Sequence, residues 1–93
     1  MEKLKNIGPT SAAWLEEIGI TNKAALAEIG PVMVYKMIRH RHSGVNVLLL
    51  YALQGAVMDI HWNALSPEIK ARLRREAKGT LSVEPASVDE RDG

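Results

Sequence analysis

A glycine–proline turn near the N-terminus is the first feature whose residue types could do chemistry. Gly8 and Pro9 precede a helical pattern, and proline fits the first helical position because the amide there has no partner to lose. The free amides at such a helix start can hold a phosphate oxygen. With Lys5 and Thr10 beside them, Gly8 and Pro9 are candidate contacts to a nucleic-acid backbone. The alternative is a structural role, in which the turn binds no ligand and only joins two packed segments.

Basic side chains offer a second route to phosphate. They are Lys36, Arg39 and Arg41 on one predicted helix, and Lys70, Arg72, Arg74, Arg75 and Lys78 on another. Arg39, Arg41, Arg72 and Arg75 are the candidate contacts. Solvated helix faces commonly carry such charges, and solubility alone explains them. They form one phosphate-binding surface only if the two helices end near one another.

Three histidines raise the question of a metal site. His40 and His42 are two residues apart, a spacing that points them to different sides of a helix. No carboxylate stands at a recognisable partner spacing. We therefore predict no metal site and expect His40 and His42 at a solvated helix end, where the helix dipole favours cations.

The segment His61-Trp62-Asn63 follows the most apolar part of the chain and is predicted to be a loop. We expect the indole to pack and the imidazole to bond to backbone. A contact with a partner or ligand is the alternative for these three residues. Trp14 is a further candidate for structural or partner contact.

No catalytic motif accompanies these residues. The serines fall in predicted caps, turns or the C-terminal segment, and no nucleophile-elbow, Walker or zinc-protease pattern occurs. We predict that the protein is not an enzyme, needs no cofactor and takes no small-molecule substrate.

The composition limits the class of protein. Ninety-three residues suit one domain, and 46% hydrophobic residues suffice for a core. The absence of cysteine excludes disulfides and thiolate metal sites and favours a cytoplasmic location. The longest apolar run, residues 45–58, is shorter than the roughly 20 residues that a bilayer requires, and no signal peptide is recognisable at the N-terminus. We therefore expect no membrane partner.

Charge divides the chain into two parts. Residues 1–78 hold eleven Lys or Arg and seven Asp or Glu, a formal charge of +4, whereas residues 79–93 hold one Arg and four acids, a charge of −3. Residues 79–93 also lack a helical period and enough apolar content to bury. We predict a helical domain over residues 1–78 and a disordered acidic tail over residues 79–93.

The elements that must position these side chains are about five short helices in a compact all-α bundle. The first begins at Gly8-Pro9, the second after an N-cap at Thr21, the third at Gly30-Pro31, the fourth spans Val47 to Met58 after Asn46, and the fifth begins at Ser66-Pro67. Leu26 and Ile29 of the second helix are expected to face inward. The fourth helix is apolar on nearly all sides and should lie centrally. Gly55 within it suggests the close approach of a neighbouring helix.

Several segments together resemble a known family. The residues that carry the resemblance are Leu4, Ile7-Gly8-Pro9, Ser11, Trp14-Leu15, Ile18-Gly19-Ile20, Leu26, Ile29-Gly30, Val45-Asn46, Leu49 to Leu53, Gly55-Ala56 and His61-Trp62-Asn63 with Leu65. The joint occurrence of LLYALxGA and HWNxL is the specific part. Over roughly residues 4–78 the chain looks like the C-terminal domain of the TfoX/Sxy family, bacterial regulators of DNA-uptake competence.

The resemblance implies a helix-hairpin-helix-like domain that promotes transcription alongside the cyclic-AMP receptor protein. In that hairpin pattern Gly8 matches the second glycine, and Asn6 stands where the first is expected; asparagine tolerates the left-handed backbone conformation. Two functions remain open. The first is a regulatory module that contacts a transcription-machinery protein or a second copy of itself, and the second is a module that binds DNA through the turn and the basic helix surfaces.

Overall fold

Each helix begins at a residue suited to start one. The computed structural model describes residues 2–78, which form α1 (Pro9–Glu17), α2 (Lys23–Ile29), α3 (Pro31–Arg41), α4 (Val47–Met58), a short 3₁₀ helix (Trp62–Ala64) and α5 (Pro67–Ala77). These described residues contain no strand, so the predicted all-α class is confirmed. The predicted tail, residues 79–93, lies outside the described residues.

Prolines at the first helical position start α1, α3 and α5, as predicted. The predicted caps of α4 and α5 are also present: Asn46 Oδ1 accepts from the Leu48 amide at 2.9 Å, and Ser66 Oγ accepts from the Ile69 amide at 3.2 Å. The predicted cap of α2 is wrong by one residue. Asn22, not Thr21, accepts from the Ala25 amide at 2.8 Å, and the Thr21 carbonyl accepts instead from the Glu2 amide at 2.9 Å.

The central helix is α4. Leu50 and Leu53 are fully buried, and α4 packs against α2, α3, α5 and the 3₁₀ helix. This arrangement confirms the central position predicted from its apolar sequence. Around it the core is built from large aliphatic side chains of the other elements, chiefly Leu15, Ile20, Leu26, Val34, Ile38 and Leu73. Burying each such side chain contributes roughly 1.5–3 kcal/mol.

Gly55 allows a close approach on one side of α4. A Cβ added there would lie 2.6 Å from Asn6 Nδ2, 2.8 Å from the Ile60 carbonyl oxygen and 3.3 Å from Trp62 Cα. The close approach predicted for this glycine is confirmed. The neighbours, however, are the N-terminal turn, the segment after α4 and the first residue of the 3₁₀ helix, not another α-helix.

The end of α2 differs from expectation. Ile29 was expected to face inward, but it is 42% exposed, next to Met33 at 41%. The reason is the length of α2, which has seven residues and places Leu26 in the core, leaving its last residue at the turn into α3. At that turn Gly30 has φ 100°, a conformation that side chains rarely adopt.

The two Gly-Pro turns of the chain differ in the elements that flank them. Among the described residues, 2–8 are not helical, so the Ile7-Gly8-Pro9 turn has a helix on one side only. Gly30-Pro31 directly joins α2 to α3 and has helices on both sides.

Within residues 2–78, no helix is long and apolar enough to cross a membrane.

Candidate functional site

The N-terminal turn presents its backbone to solvent. Gly8 is the N-cap of α1 with φ −87° and ψ −176°, no side chain caps this helix, and Gly8, Pro9 and Thr10 are all exposed. Asn6, two residues earlier, has φ 71° and adopts the left-handed conformation that asparagine tolerates. The backbone of the turn is thus open to a ligand, as the phosphate hypothesis requires.

The Asn6 side chain faces the opposite way, into the protein. Its Nδ2 donates to the Ile60 carbonyl at 2.9 Å and to the Ala52 carbonyl at 3.5 Å, and its Oδ1 accepts from the Trp62 amide at 3.2 Å. Asn6 therefore fixes the turn to the end of α4 and the start of the 3₁₀ helix. Sequence reasoning did not foresee this role, although an asparagine in place of the usual glycine was a signal that the side chain is needed.

The charges next to the turn are unfavourable for an anion. A cleft of about 460 Å³ beside Gly8 and Pro9 is lined by two carboxylates, Glu2 and Glu16, and one cation, Lys3. Lys5 is exposed, and Thr10 adds no charge. A phosphate at this turn would gain the free amides but would lie near two negative charges.

A groove of about 350 Å³ lies on another side of α1. It runs between α1, the loop before α4, α4 itself and the 3₁₀ helix, and both tryptophans of the chain, Trp14 and Trp62, line it. Leu48 of α4 lines it too and is 49% exposed. Two candidate partner contacts that lie 48 residues apart in the sequence are thus brought together. We call this feature the tryptophan groove.

One wall of the tryptophan groove is fixed by His42. Its Nε2 lies 2.8 Å from Glu17 Oε1, and its ring packs against that of Trp14, tilted by 30° with centroids 5.1 Å apart. Arg41 Nε also lies 3.4 Å from Glu17 Oε1. The hydrogen bond from His42 is the main cause that lowers the pKa of Glu17 below its ordinary value of 4.5.

The histidines do not converge on a metal site. Within residues 2–78 no group of three His, Cys, Asp or Glu side chains comes together with ligand geometry. His40 is exposed, in accord with the expectation of a solvated helix end. For His42 that expectation is incomplete, because its ring is half-buried between Glu17 and Trp14.

The segment predicted as a loop at His61-Trp62-Asn63 begins the 3₁₀ helix instead. His61 caps it, with Nδ1 3.3 Å from the Asn63 amide and 2.8 Å from Asn63 Oδ1. Its ring stacks on Trp62, which in turn stacks on Tyr51, with centroids 6.0 and 6.4 Å apart. His61 and Asn63 are exposed, and Trp62 is half-buried.

The four basic candidates have different surroundings. Arg39 donates to the Ala77 carbonyl at 3.1 Å, so the C-terminal ends of α3 and α5 do lie close together. Arg41 pairs with Glu17, and Arg72 pairs with Glu76 at 3.8 Å. Arg75 is exposed. Because two of these four lie beside carboxylates, they do not form one uniformly basic surface.

Two other basic residues of the predicted fifth helix have the more distinctive contacts. Lys70 Nζ lies 5.6 Å from the Tyr51 ring centroid and 5.4 Å from that of Trp62, and Arg74 donates to Tyr51 Oη at 2.8 Å. The signal in the sequence was their spacing of four residues on α5, next to its inward face.

Comparisons with known proteins agree on a family. The chain matches the profile of the TfoX C-terminal domain over residues 1–77. The DNA transformation protein TfoX1 of Aliivibrio fischeri is 30% identical over 77 residues, which are 82% of this chain but 37% of that relative. The chain thus spans little more than a third of the length of this curated relative.

Two crystal structures from Listeria monocytogenes have the same fold. One, a protein described as uncharacterized in a triclinic form, has a TM-score of 0.75, and the other, described as of unknown function in a tetragonal form, has 0.77. Each is 31% identical to this chain, and each match covers 84% of this chain. The match covers 92% of the triclinic-form chain and 96% of the tetragonal-form chain.

Proposed function

Because the chain belongs to the TfoX C-terminal domain family, we propose that it is a non-enzymatic regulatory module of DNA-uptake competence that acts by contacting a transcription-machinery protein. The name of the Aliivibrio relative refers to DNA transformation, which supports the process. Transcription places such a module in the cytoplasm. The tryptophan groove is the observation that favours protein contact as the mode of action.

The groove has the composition of a small protein-binding site. Tryptophan is enriched where interfaces concentrate their binding energy, because an indole buries a large area at low entropic cost. Here two indoles and the half-exposed Leu48 share one concave surface. Asn46 also lines the groove, and because its oxygen caps α4, its side-chain nitrogen is the group that can set the orientation of a bound segment.

The charge around the groove indicates what should bind. Lys70 lies over the Trp62 ring, and the first turn of α1, with its positive end of the helix dipole, contributes Ser11 to the lining. Glu17, whose partner His42 packs against Trp14, is already paired with His42 and Arg41. The matching partner is a segment that inserts an apolar side chain between the indoles and carries acidic residues beside it.

The alternative, a nucleic-acid contact at Gly8, Pro9, Thr10 and Lys5, has weaker support. The turn exposes free amides, but Glu2 and Glu16 line the adjacent cleft. Gly8 and Thr10 therefore remain candidates on backbone geometry alone.

A domain exchange tests the proposal. The matching 77 residues of the Aliivibrio protein are replaced by this chain, and transformation frequency is measured. Leu48→Gln should lower that frequency at least tenfold, because it places an amide in the apolar groove. The matched control is Met58→Gln on the same helix, 41% exposed and outside the groove, which should change it less than twofold.

Site-specific cross-linking identifies the partner. A photoreactive phenylalanine at position 48 should yield a product that mass spectrometry identifies as a transcription-machinery subunit, and the same group at position 58 should not. A homodimer product at position 48 would replace the proposed partner with a second copy of the chain. Equal products at both positions, or equal loss of transformation by both Gln variants, would refute the groove as the binding site.

A further inference from the structure

The cations on one side of α5 share an uncommon environment. Arg39 Cζ lies 5.0 Å from the Tyr35 ring centroid, Lys70 lies over Tyr51 and Trp62, and Arg74 bonds to the Tyr51 hydroxyl. Three of the four aromatic side chains of the protein thus hold a cation. We call Arg39, Lys70 and Arg74 the aromatic-held cations.

None of these three cations is neutralised by a described carboxylate. The ion pairs within residues 2–78 join Glu17 to Arg41 and His42, and Glu76 to Arg72. The other contact of Arg39 is to a backbone carbonyl, at Ala77. An aromatic ring or a hydroxyl fixes the position of a cation without cancelling its charge, so these three retain their attraction for an external anion.

The helical period places the aromatic-held cations on one side of α5. Each residue of a helix turns 100° about the axis, so Lys70, Arg74 and Ala77 fall within about 60° of arc, and Arg39 binds at Ala77. The two glutamates of α5, Glu68 and Glu76, lie about 120–160° from Lys70. The three positions extend over roughly 10 Å of helix axis. A single nucleic-acid strand presents about three phosphates over that length.

We propose that Arg39, Lys70 and Arg74 form a binding site for the phosphodiester backbone of duplex DNA. Arg39 and Arg74 offer planar guanidinium groups whose remaining donors suit phosphate oxygens, and Lys70 adds a point charge at the N-terminal end of the row. Because the rings already restrict these side chains, binding loses less side-chain entropy than it would at free surface lysines. The site uses different residues from the Gly8-Pro9 turn, and it adjoins the tryptophan groove at Trp62, over which Lys70 lies.

Such a site has a defined salt dependence. Three phosphate contacts give a slope of about −2.7 in a plot of log affinity against log salt concentration. Affinity should therefore fall roughly 40-fold between 50 and 200 mM salt. Two labelled duplexes of unrelated sequence should bind within about twofold of each other, because backbone contacts carry no sequence information.

Paired charge removals test the site by fluorescence anisotropy with a labelled 20-base-pair duplex. The double variant Lys70→Gln/Arg74→Gln should lose at least tenfold in affinity at 50 mM salt, and its slope should fall to about −0.9. The control double variant Lys23→Gln/Arg72→Gln removes the same formal charge, and Arg72, like Lys70 and Arg74, lies on α5. It should lose less than threefold in affinity for the duplex, with an unchanged slope. Leu48→Gln should bind DNA as the wild type does, which separates this site from the proposed function.

Circular dichroism establishes that the variants are folded. If the double variant unfolds, each single variant, Lys70→Gln or Arg74→Gln, should still lower the slope by about 0.9. Absence of wild-type binding at 50 mM salt would overturn the site. An equal loss in the control pair would also overturn it, because binding would then follow net charge and not these three residues.

Discussion

At the scale of single residues, two glycines have opposite surroundings. Gly55 faces Asn6 and the Ile60 carbonyl at distances that leave no room for a methyl group, whereas a Cβ on Gly8 would meet nothing within 4 Å. Gly8 also has an ordinary φ of −87°. Nothing within residues 2–78 therefore requires a glycine at position 8, while the contact between the N-terminal turn and α4 requires one at position 55.

A pair of alanine substitutions tests this difference. Gly55→Ala should lower the free energy of unfolding by up to roughly 2 kcal/mol, because overpacking costs about 1–3 kcal/mol and the helix propensity of alanine returns about 1 kcal/mol. Gly8→Ala should cost less than about 1 kcal/mol, the loss of a favourable N-cap residue. Urea denaturation measures both values. A stabilised Gly55→Ala protein would show that Asn6 can move without cost.

Asn6 also shows where sequence reasoning stops at this scale. Its backbone conformation was predictable, because asparagine in a glycine position of a turn indicates a positive φ. Its hydrogen-bond partners were not, because Ala52, Ile60 and Trp62 are 46 to 56 residues away and no local pattern links them. The same limit hid the contacts of Lys70 and Arg74 with Tyr51.

At the scale of elements, capping chemistry located most helix starts, and the exception was a choice between adjacent residues. Thr21 and Asn22 are both good caps, so the sequence alone favours neither strongly. The hydrogen bond from the Glu2 amide to the Thr21 carbonyl, and that from the Lys23 amide to Glu2 Oε1, place the start of α2 one residue later. The choice depends on a segment 19 residues away, outside any local pattern.

Alanine substitution at these two positions separates the alternatives. Asn22→Ala should lower the free energy of unfolding by about 1 kcal/mol, because the Ala25 amide loses its acceptor. For a domain of this size that corresponds to a fall in Tm of roughly 4–8 °C. Thr21→Ala should lower Tm by less than half as much in the same calorimetric scan. A larger effect at Thr21 would restore the cap predicted from the sequence.

At the scale of the whole molecule, the fold class could be predicted from the sequence, whereas the contacts between surfaces could not. The all-helical class and the central place of α4 followed from composition and periodicity, because both depend on many residues at once. The arrangement of side chains on the surface did not follow from composition and periodicity. Whether the ends of α3 and α5 meet is a matter of packing, which the contact between Arg39 and Ala77 reveals and a sequence pattern does not.

Removal of residues 79–93 tests the influence of the acidic segment on the aromatic-held cations. The deletion changes the formal charge from +1 to +4 and should tighten binding of the labelled duplex several-fold at 50 mM salt. Substituting glutamine for Glu84, Asp89, Glu90 and Asp92 in the full chain should have the same effect. If the deletion tightens binding and the neutral full-length chain does not, the acidic charge is not the cause.

The two indoles that line the tryptophan groove have an optical consequence. They are the only tryptophans in the chain, so its ultraviolet emission arises almost entirely from the walls of one groove. A bound segment that displaces water from Trp14 and Trp62 shifts the emission of both indoles to shorter wavelength, while DNA held at Arg39, Lys70 and Arg74 lies beside Trp62 but leaves Trp14 unchanged. The Trp14 part of the emission therefore reports which of the two surfaces is occupied.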